Sequence, residues 1–132
     1  MIVDSSAIVA IVAAEPRAQE YAKAIIGATS ASMSAANFLE VAIVIDRRND
    51  PVIRSRFDEV FEQLGLNIVP VTVEQAHLAR QAHRDYGRGS GHRSGLNFGD
   101  CFAYALAKST GEPLLFQGDD FTHTDLRSAL IG

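Results

Sequence analysis

Asp4, Glu40, Asp100 and the adjacent pair Asp119 and Asp120 are the residues of this 132-residue chain whose type and placement suit chemistry. Asp4 closes the apolar start of the chain, Glu40 sits among Phe38, Leu39, Val41, Ala42 and Ile43, and Asp100 heads the apolar run that begins at Phe98. Each has an ordinary explanation taken singly. Asp4 would cap the helix that follows, and Asp100 would be the third helical residue behind an Asn97 cap, where a carboxylate suits the positive end of the helix dipole. Glu40 with Asn37 and Arg47 would be a solvent stripe, and Asp119 and Asp120 would be turn formers after Gly118.

A joint role explains them better. Ligands of open parallel α/β sheets bind beyond the carboxyl ends of the strands, and these acids fall at such ends or in the first turns of helices there. Carboxylates brought to one edge repel one another and stay ionised only when a cation neutralises them. Oxygen donors alone select Mg²⁺ or Mn²⁺. Zinc would call for Cys and His, but Cys101 is the single cysteine and His77, His83, His92 and His123 show no zinc spacing. Mg²⁺ takes one or two carboxylates together with waters and phosphate oxygens, so a phosphate-containing substrate is implied. The matching chemistry is phosphodiester hydrolysis, with one ion lowering the pKa of a water and a second, about 4 Å away, stabilising the leaving oxygen.

The elements that must position these acids alternate along the chain. "MIVD" reads as a short buried strand and "SSAIVAIVAAE" as a helix capped by Ser5 or Ser6; a second helix spans Arg17 to Ile26. "ASMS" reads as a strand leading to the helix "AANFLEVAIVIDRR" with Ser34 as cap, and Asp50-Pro51 opens a helix that Gly65 ends. In that last helix Ile53, Phe57, Val60, Phe61 and Leu64 share one face, which needs a cover from the core or from a partner. "LNIVPV" is the next strand, Thr72 and Gln75 suggest a capping box for a helix through Tyr86, and Asn97 precedes the apolar helix from Phe98. "PLLFQ" is the last strand, followed by the turn "GDD" and a short helix around "DLRSAL". Strand and helix in alternation imply an α/β fold, with a mostly parallel sheet covered on both faces.

Length and composition agree with one domain over residues 1–132, without repeats or linkers. Hydrophobic residues at 47% and charged residues at 21% are ordinary for a globular protein. No apolar run approaches the roughly 20 residues of a membrane helix, and "MIVDSS" lacks the positive start of a signal peptide. A cytoplasmic location is expected, and a lone Cys101, unable to form an internal disulfide, agrees with it. The net charge of -4 at first opposes a nucleic-acid partner, but four clustered acids account for all of it. The glycine-rich stretch 83–95 carries Arg84, Arg88, His92 and Arg93, the candidate contacts for a polyanion beside a metal-loaded site.

The segments "MIVDSSAIVA", "SAANFLEVAIV", "LNFGDCFAYALAK" and "LLFQGDDFTHTDL" resemble, in order and across the whole chain, the motifs of PIN-domain ribonucleases, specifically the VapC-type toxins of bacterial toxin–antitoxin pairs. The resemblance implies a three-layer α/β/α fold and an endoribonuclease dependent on Mg²⁺ or Mn²⁺. It implies Asp4, Glu40, Asp100 and an acid of the "GDD" turn as metal-binding and catalytic acids, the last at Asp119 with Asp120 as the alternative. Ser6 matches a small hydroxyl residue that supports the site, and Asn37 a polar residue preceding the glutamate. A cognate antitoxin and a homodimer are implied as well, and the face from Ile53 to Leu64 is the candidate for part of the antitoxin groove, as a helix-in-groove contact.

Other readings fit less of the sequence. A receiver domain needs an acidic pair after the first strand and a lysine after a late one, whereas here "DSS" follows the first strand and Lys108 lies inside a helix. Asp-x-Asp phosphatases fail because residue 6 is serine, and "GRGSGHRSG" neither follows a strand nor supplies a P-loop lysine. A catalytically inert binding module of the same fold is opposed by the retention of all four acids.

Overall fold

The computed structural model describes residues 1–130. Its sheet has four parallel strands, β1 (Ile2–Val3), β2 (Ser32–Ser34), β3 (Asn67–Val69) and β4 (Leu114–Leu115), in the order β3-β2-β1-β4. Ile2 lies opposite both Ser32 and Leu114, Val3 opposite Leu115, and Met33 opposite Ile68. The helices are α1 (Ser5–Val12), α2 (Ala18–Gly27), α3 (Ala35–Asp46), α4 (Pro51–Leu64), α5 (Val73–Tyr86) and α6 (Phe98–Thr110).

Strand order decides which face each helix covers. The chain steps from β1 to β2 to β3 in one direction, then returns over both to place β4 beyond β1. Parallel crossovers are right-handed, so the reversal sends α5 and α6 to the face opposite α1 to α4. Burial follows the same division, because successive strand residues point to opposite sides. Val3, Met33 and Leu115 join Ile8, Tyr21, Ile25, Val41, Ile45 and Phe57 in one core. Ile2 and Leu114 join Ala82, Leu96, Ala103, Leu106 and Phe121 in the other. The result is the expected α/β/α arrangement of three layers.

Most helix boundaries fall where local chemistry puts them. Ser34, Asp50, Thr72 and Asn97 cap α3 to α6 through their side chains, and α4 ends at Gly65, whose φ of 63° is in the left-handed region. The cap of α1 is Asp4 rather than Ser5 or Ser6, since its carboxylate accepts the Ser6 N–H at 3.0 Å. The helix expected around "DLRSAL" does not form. Instead the Leu114 N–H donates to Arg127 O at 2.9 Å and the Ala129 N–H to Leu114 O at 2.8 Å, so the final segment spends its backbone groups on the free edge of β4.

The apolar face of α4 also has a different role from the one expected. Phe57 is 5% exposed and Leu64 8%, and Ile53, Val60 and Phe61 pack against the same core. Phe38 of α3 lies 6.2 Å from the Phe57 ring and 5.0 Å from the Phe61 ring, centroid to centroid. This face is covered from within the chain and is not an open groove.

Phe57→Ala is expected to lower the unfolding free energy by about 3 kcal/mol or more, because a buried aromatic leaves a cavity. Ile26, 65% exposed at the end of α2, should tolerate alanine within about 0.5 kcal/mol. Urea denaturation of the two variants beside wild type checks both.

Candidate active site

With the order β3-β2-β1-β4, the winding direction reverses between β1 and β4, and the crevice beyond their carboxyl ends is the place where this class of sheet binds ligands. Asp4 stands directly after β1 and is 3% exposed. Its Oδ2 accepts both the Ser6 N–H, at 3.0 Å, and the Ser6 hydroxyl, at 2.6 Å. The same Ser6 Oγ accepts the Gln117 N–H at 2.9 Å, tying the end of β1 to the segment that follows β4. Asp4 Oδ1 is buried without a hydrogen-bond partner.

Helix α3 brings Asn37 and Glu40 to the same edge. Asn37 is fully buried, and its Nδ2 donates to Gly99 O at 2.9 Å and, more weakly, to Glu40 Oε1 at 3.4 Å. Glu40 Oε1 also accepts the Ser5 hydroxyl at 2.6 Å. Asp100 is the third residue of α6 and performs the capping role that its position suggests. Asn97 Oδ1 accepts the Asp100 N–H at 2.8 Å, and Asp100 Oδ2 accepts the Asn97 N–H at 3.0 Å. Capping and membership of an acidic group coexist in one side chain.

The acids feel one another. Burial pushes the Asp4 carboxyl up from 3.8 to about 6, and the charge of Glu40 adds to the rise against the lowering effect of Ser6. Asp100 is pushed up to about 7, first by burial and further by the carboxylates of Asp4 and Asp120, with the Asn97 N–H pulling the other way. Asp120 is therefore the acid of the turn that faces Asp100. Asp119 is turned aside, lining a cavity of about 430 Å³ with Arg17, Phe116, Thr122 and Leu126. Of the two acids in the turn after Gly118, Asp120, the alternative to Asp119, is thus the one whose carboxylate reaches Asp100. Among the described residues, no three of His, Cys, Asp and Glu close around a single point as a ready coordination group.

The basic residues occupy a separate, adjoining segment. Arg84 is exposed in the last turn of α5, and Arg88 and Arg93 are exposed in the loop that leads to Asn97. The loop is pinned at its base, where the Arg88 N–H donates to Leu96 O and the Leu96 N–H to Tyr86 O. His92 is held inside it, edge-on to Tyr86 at 4.9 Å and accepting the Ser94 N–H at Nδ1. Lys108, which a receiver domain would need at the acids, lies in the last turn of α6 and pairs with Asp125 at 2.5 Å.

Sequence reasoning missed Ser5, Gly99 and Gln117. Ser5 was legible only as a cap, Gln117 contributes through its backbone, and the contact at Gly99 depends on how α3 meets α6.

A model of the PIN domain family matches residues 1–126. Ribonuclease VapC42 of Mycobacterium tuberculosis is 51% identical over 129 residues, covering 98% of each chain. Ribonuclease VapC28 of the same organism is 52% identical over 130 residues, again covering 98% of each. Among solved structures, the sarcin–ricin loop cleaving toxin VapC20 of M. tuberculosis superposes with a TM-score of 0.71 at 17% identity, covering 95% of each chain. A toxin–antitoxin complex from Klebsiella pneumoniae superposes with a TM-score of 0.72 at 14% identity, covering 99% of this chain and 95% of that one. The last two agree in fold, and the first three in sequence over nearly the full length; the chain belongs to the PIN domain family and, within it, to the VapC group.

Proposed function

We propose that this protein is an endoribonuclease toxin that hydrolyses RNA phosphodiester bonds with Mg²⁺ or Mn²⁺ and is neutralised by a cognate antitoxin. The observation that carries the reading is the gathering of Asp4, Glu40, Asp100 and Asp120 at the switch point of the sheet, with Asp4 Oδ1 buried and unpartnered. An all-oxygen donor set short of positive charge fits a hard divalent cation. The absence of three acids closed on one point is compatible with Mg²⁺, which keeps waters and takes few carboxylates directly. Asp4, Glu40, Asp100 and Asp120 would hold it, with Asp119 outside the set. When bound, such an ion polarises a phosphate oxygen and lowers the pKa of a water.

The chain supplies the positioning. Ser6 holds Asp4 Oδ2, the Asn97 N–H holds Asp100 Oδ2, and Ser5 with Asn37 holds Glu40 Oε1. Both serine hydroxyls orient carboxylates, and Ser6 Oγ also accepts the Gln117 N–H, so the proposed route is direct attack by water. Helices α1 and α6 both begin at the acids, and their N-termini favour the anionic oxygens of a substrate. Arg84, Arg88 and Arg93 would track the RNA backbone, with His92 shaping the loop that carries two of them. Support for RNA comes from relatives named as ribonucleases, and support for an antitoxin from the Klebsiella pneumoniae complex. Leu39 and Ile43 on α3 and Phe98 beside Asp100, exposed by 57%, 43% and 78%, offer apolar surface for the antitoxin or a second copy that α4 does not. A cytoplasmic site of action belongs to the same reading, and no helix among the described residues is long and apolar enough to cross a membrane.

With purified protein, RNA and Mn²⁺, Asp100→Asn and Asp120→Asn should each lower the cleavage rate by about 100-fold, while Asp119→Asn leaves it unchanged. Loss on Asp119→Asn with full activity in Asp120→Asn would restore the opposite assignment. A second expectation concerns stability. Asp4 and Asp100 bind protons more tightly folded than unfolded. The metal-free fold therefore holds extra protons between about pH 4 and about pH 7 and loses stability as pH rises through that window. The Tm in chelator should fall from about pH 5 to about pH 8, Mn²⁺ should restore more of it at the higher pH, and Asp100→Asn should flatten both trends.

A further inference from the structure

The residue between Phe98 and Asp100 is glycine without any backbone need for it. Its φ is not among the positive ones, and it is the second residue of α6, a position where alanine favours the helix. What excludes a side chain is Glu40. A Cβ on Gly99 would overlap Glu40 Oε2 outright and lie 2.8 Å from its Cδ and 2.9 Å from Oε1, and these are its three nearest atoms. Gly99 is buried, and its carbonyl is held by the fully buried Asn37 side chain at 2.9 Å, so α3 and α6 are pinned together at this point. With the helices pinned, an added methyl would be relieved by the carboxylate, which is the free end of a flexible side chain on an exposed residue.

We propose that Gly99 is a positioning residue for Glu40: the space left by its missing side chain is where the Glu40 carboxylate sits, and this sets where the acid of α3 stands against the first turn of α6. The inference rests on the ribonuclease reading for its functional consequence but not for its structural content. Oε1 is fixed by Ser5 and Asn37, and Oε2 rests against the Gly99 backbone. Displacing Oε2 would therefore also pull Oε1 from its donors.

A cycle of four proteins tests it: wild type, Gly99→Ala, Glu40→Asp and the double variant. Gly99→Ala should fold with a metal-free Tm equal to or above wild type, yet lose about 10- to 100-fold in kcat, as expected for a misplaced catalytic group. Its Mn²⁺-induced rise in Tm should shrink as well. In the Glu40→Asp background, where the carboxylate is one methylene shorter, the same methyl should cost little, giving a clear coupling between the two positions. In metal-free protein the ¹³C resonance of the Glu40 carboxyl should move in Gly99→Ala. An unmoved resonance, or equal losses in both backgrounds, would overturn the proposal. Wild type without any cleavage would remove the ribonuclease reading alone, since the resonance would still decide whether Gly99 positions Glu40.

Discussion

Carboxylates crowded at the carboxyl edge of a parallel sheet repel one another, and the rest of this structure is arranged around keeping them there. Asp4 is buried with one oxygen unpartnered, and Asp100 is pushed up to about 7 by burial and by its acidic neighbours. Neither condition helps the fold by itself, because a buried charge without compensation is costly. The cost is carried by two apolar cores, one on each side of the sheet, and by hydrogen bonds that fix one oxygen of each of the three best-held acids.

The ties that hold the acids are economical in the number of elements they join. Ser6 connects the end of β1 to the segment after β4, Asn37 connects α3 to the first turn of α6, and Ser5 reaches from α1 to α3. Each is a short polar side chain in or beside the first turns of a helix, so its backbone is already constrained by capping. The final segment contributes in the same way. It gives up a helix to pair with β4, and its Asp125 accepts bonds from both Tyr104 and Lys108 of α6. That clamp holds the strap following the Asp120 turn against the helix that carries Asp100.

The apolar face of α4 and the apolar side chains near the acids have opposite fates. The face of α4 was open to either a core or a partner, and Phe38 of α3 closes it. Exposed apolar side chains remain instead at Leu39, Ile43 and Phe98, close in sequence to Glu40 and Asp100.

Much was legible without coordinates because the signals are local. Alternating strands and helices, the caps at Ser34, Asp50, Thr72 and Asn97, and the stop at Gly65 follow from backbone hydrogen bonding within a few residues. The placement of Asp4, Glu40 and Asp100 at one edge followed from the same pattern together with the rule for open sheets. What the tertiary structure alone decided depends on contacts between residues far apart in the chain. That Asp120 rather than Asp119 lies near enough to raise the Asp100 carboxyl is a matter of how the turn after β4 meets α6, which no composition reveals. The absence of a last helix reflects an unpaired strand edge 13 residues away, and the role of Gly99 reflects a side chain 59 residues earlier (99 − 40) reaching the point where a Cβ would otherwise stand. Local sequence sets which backbone groups need partners, whereas packing sets which distant groups become those partners.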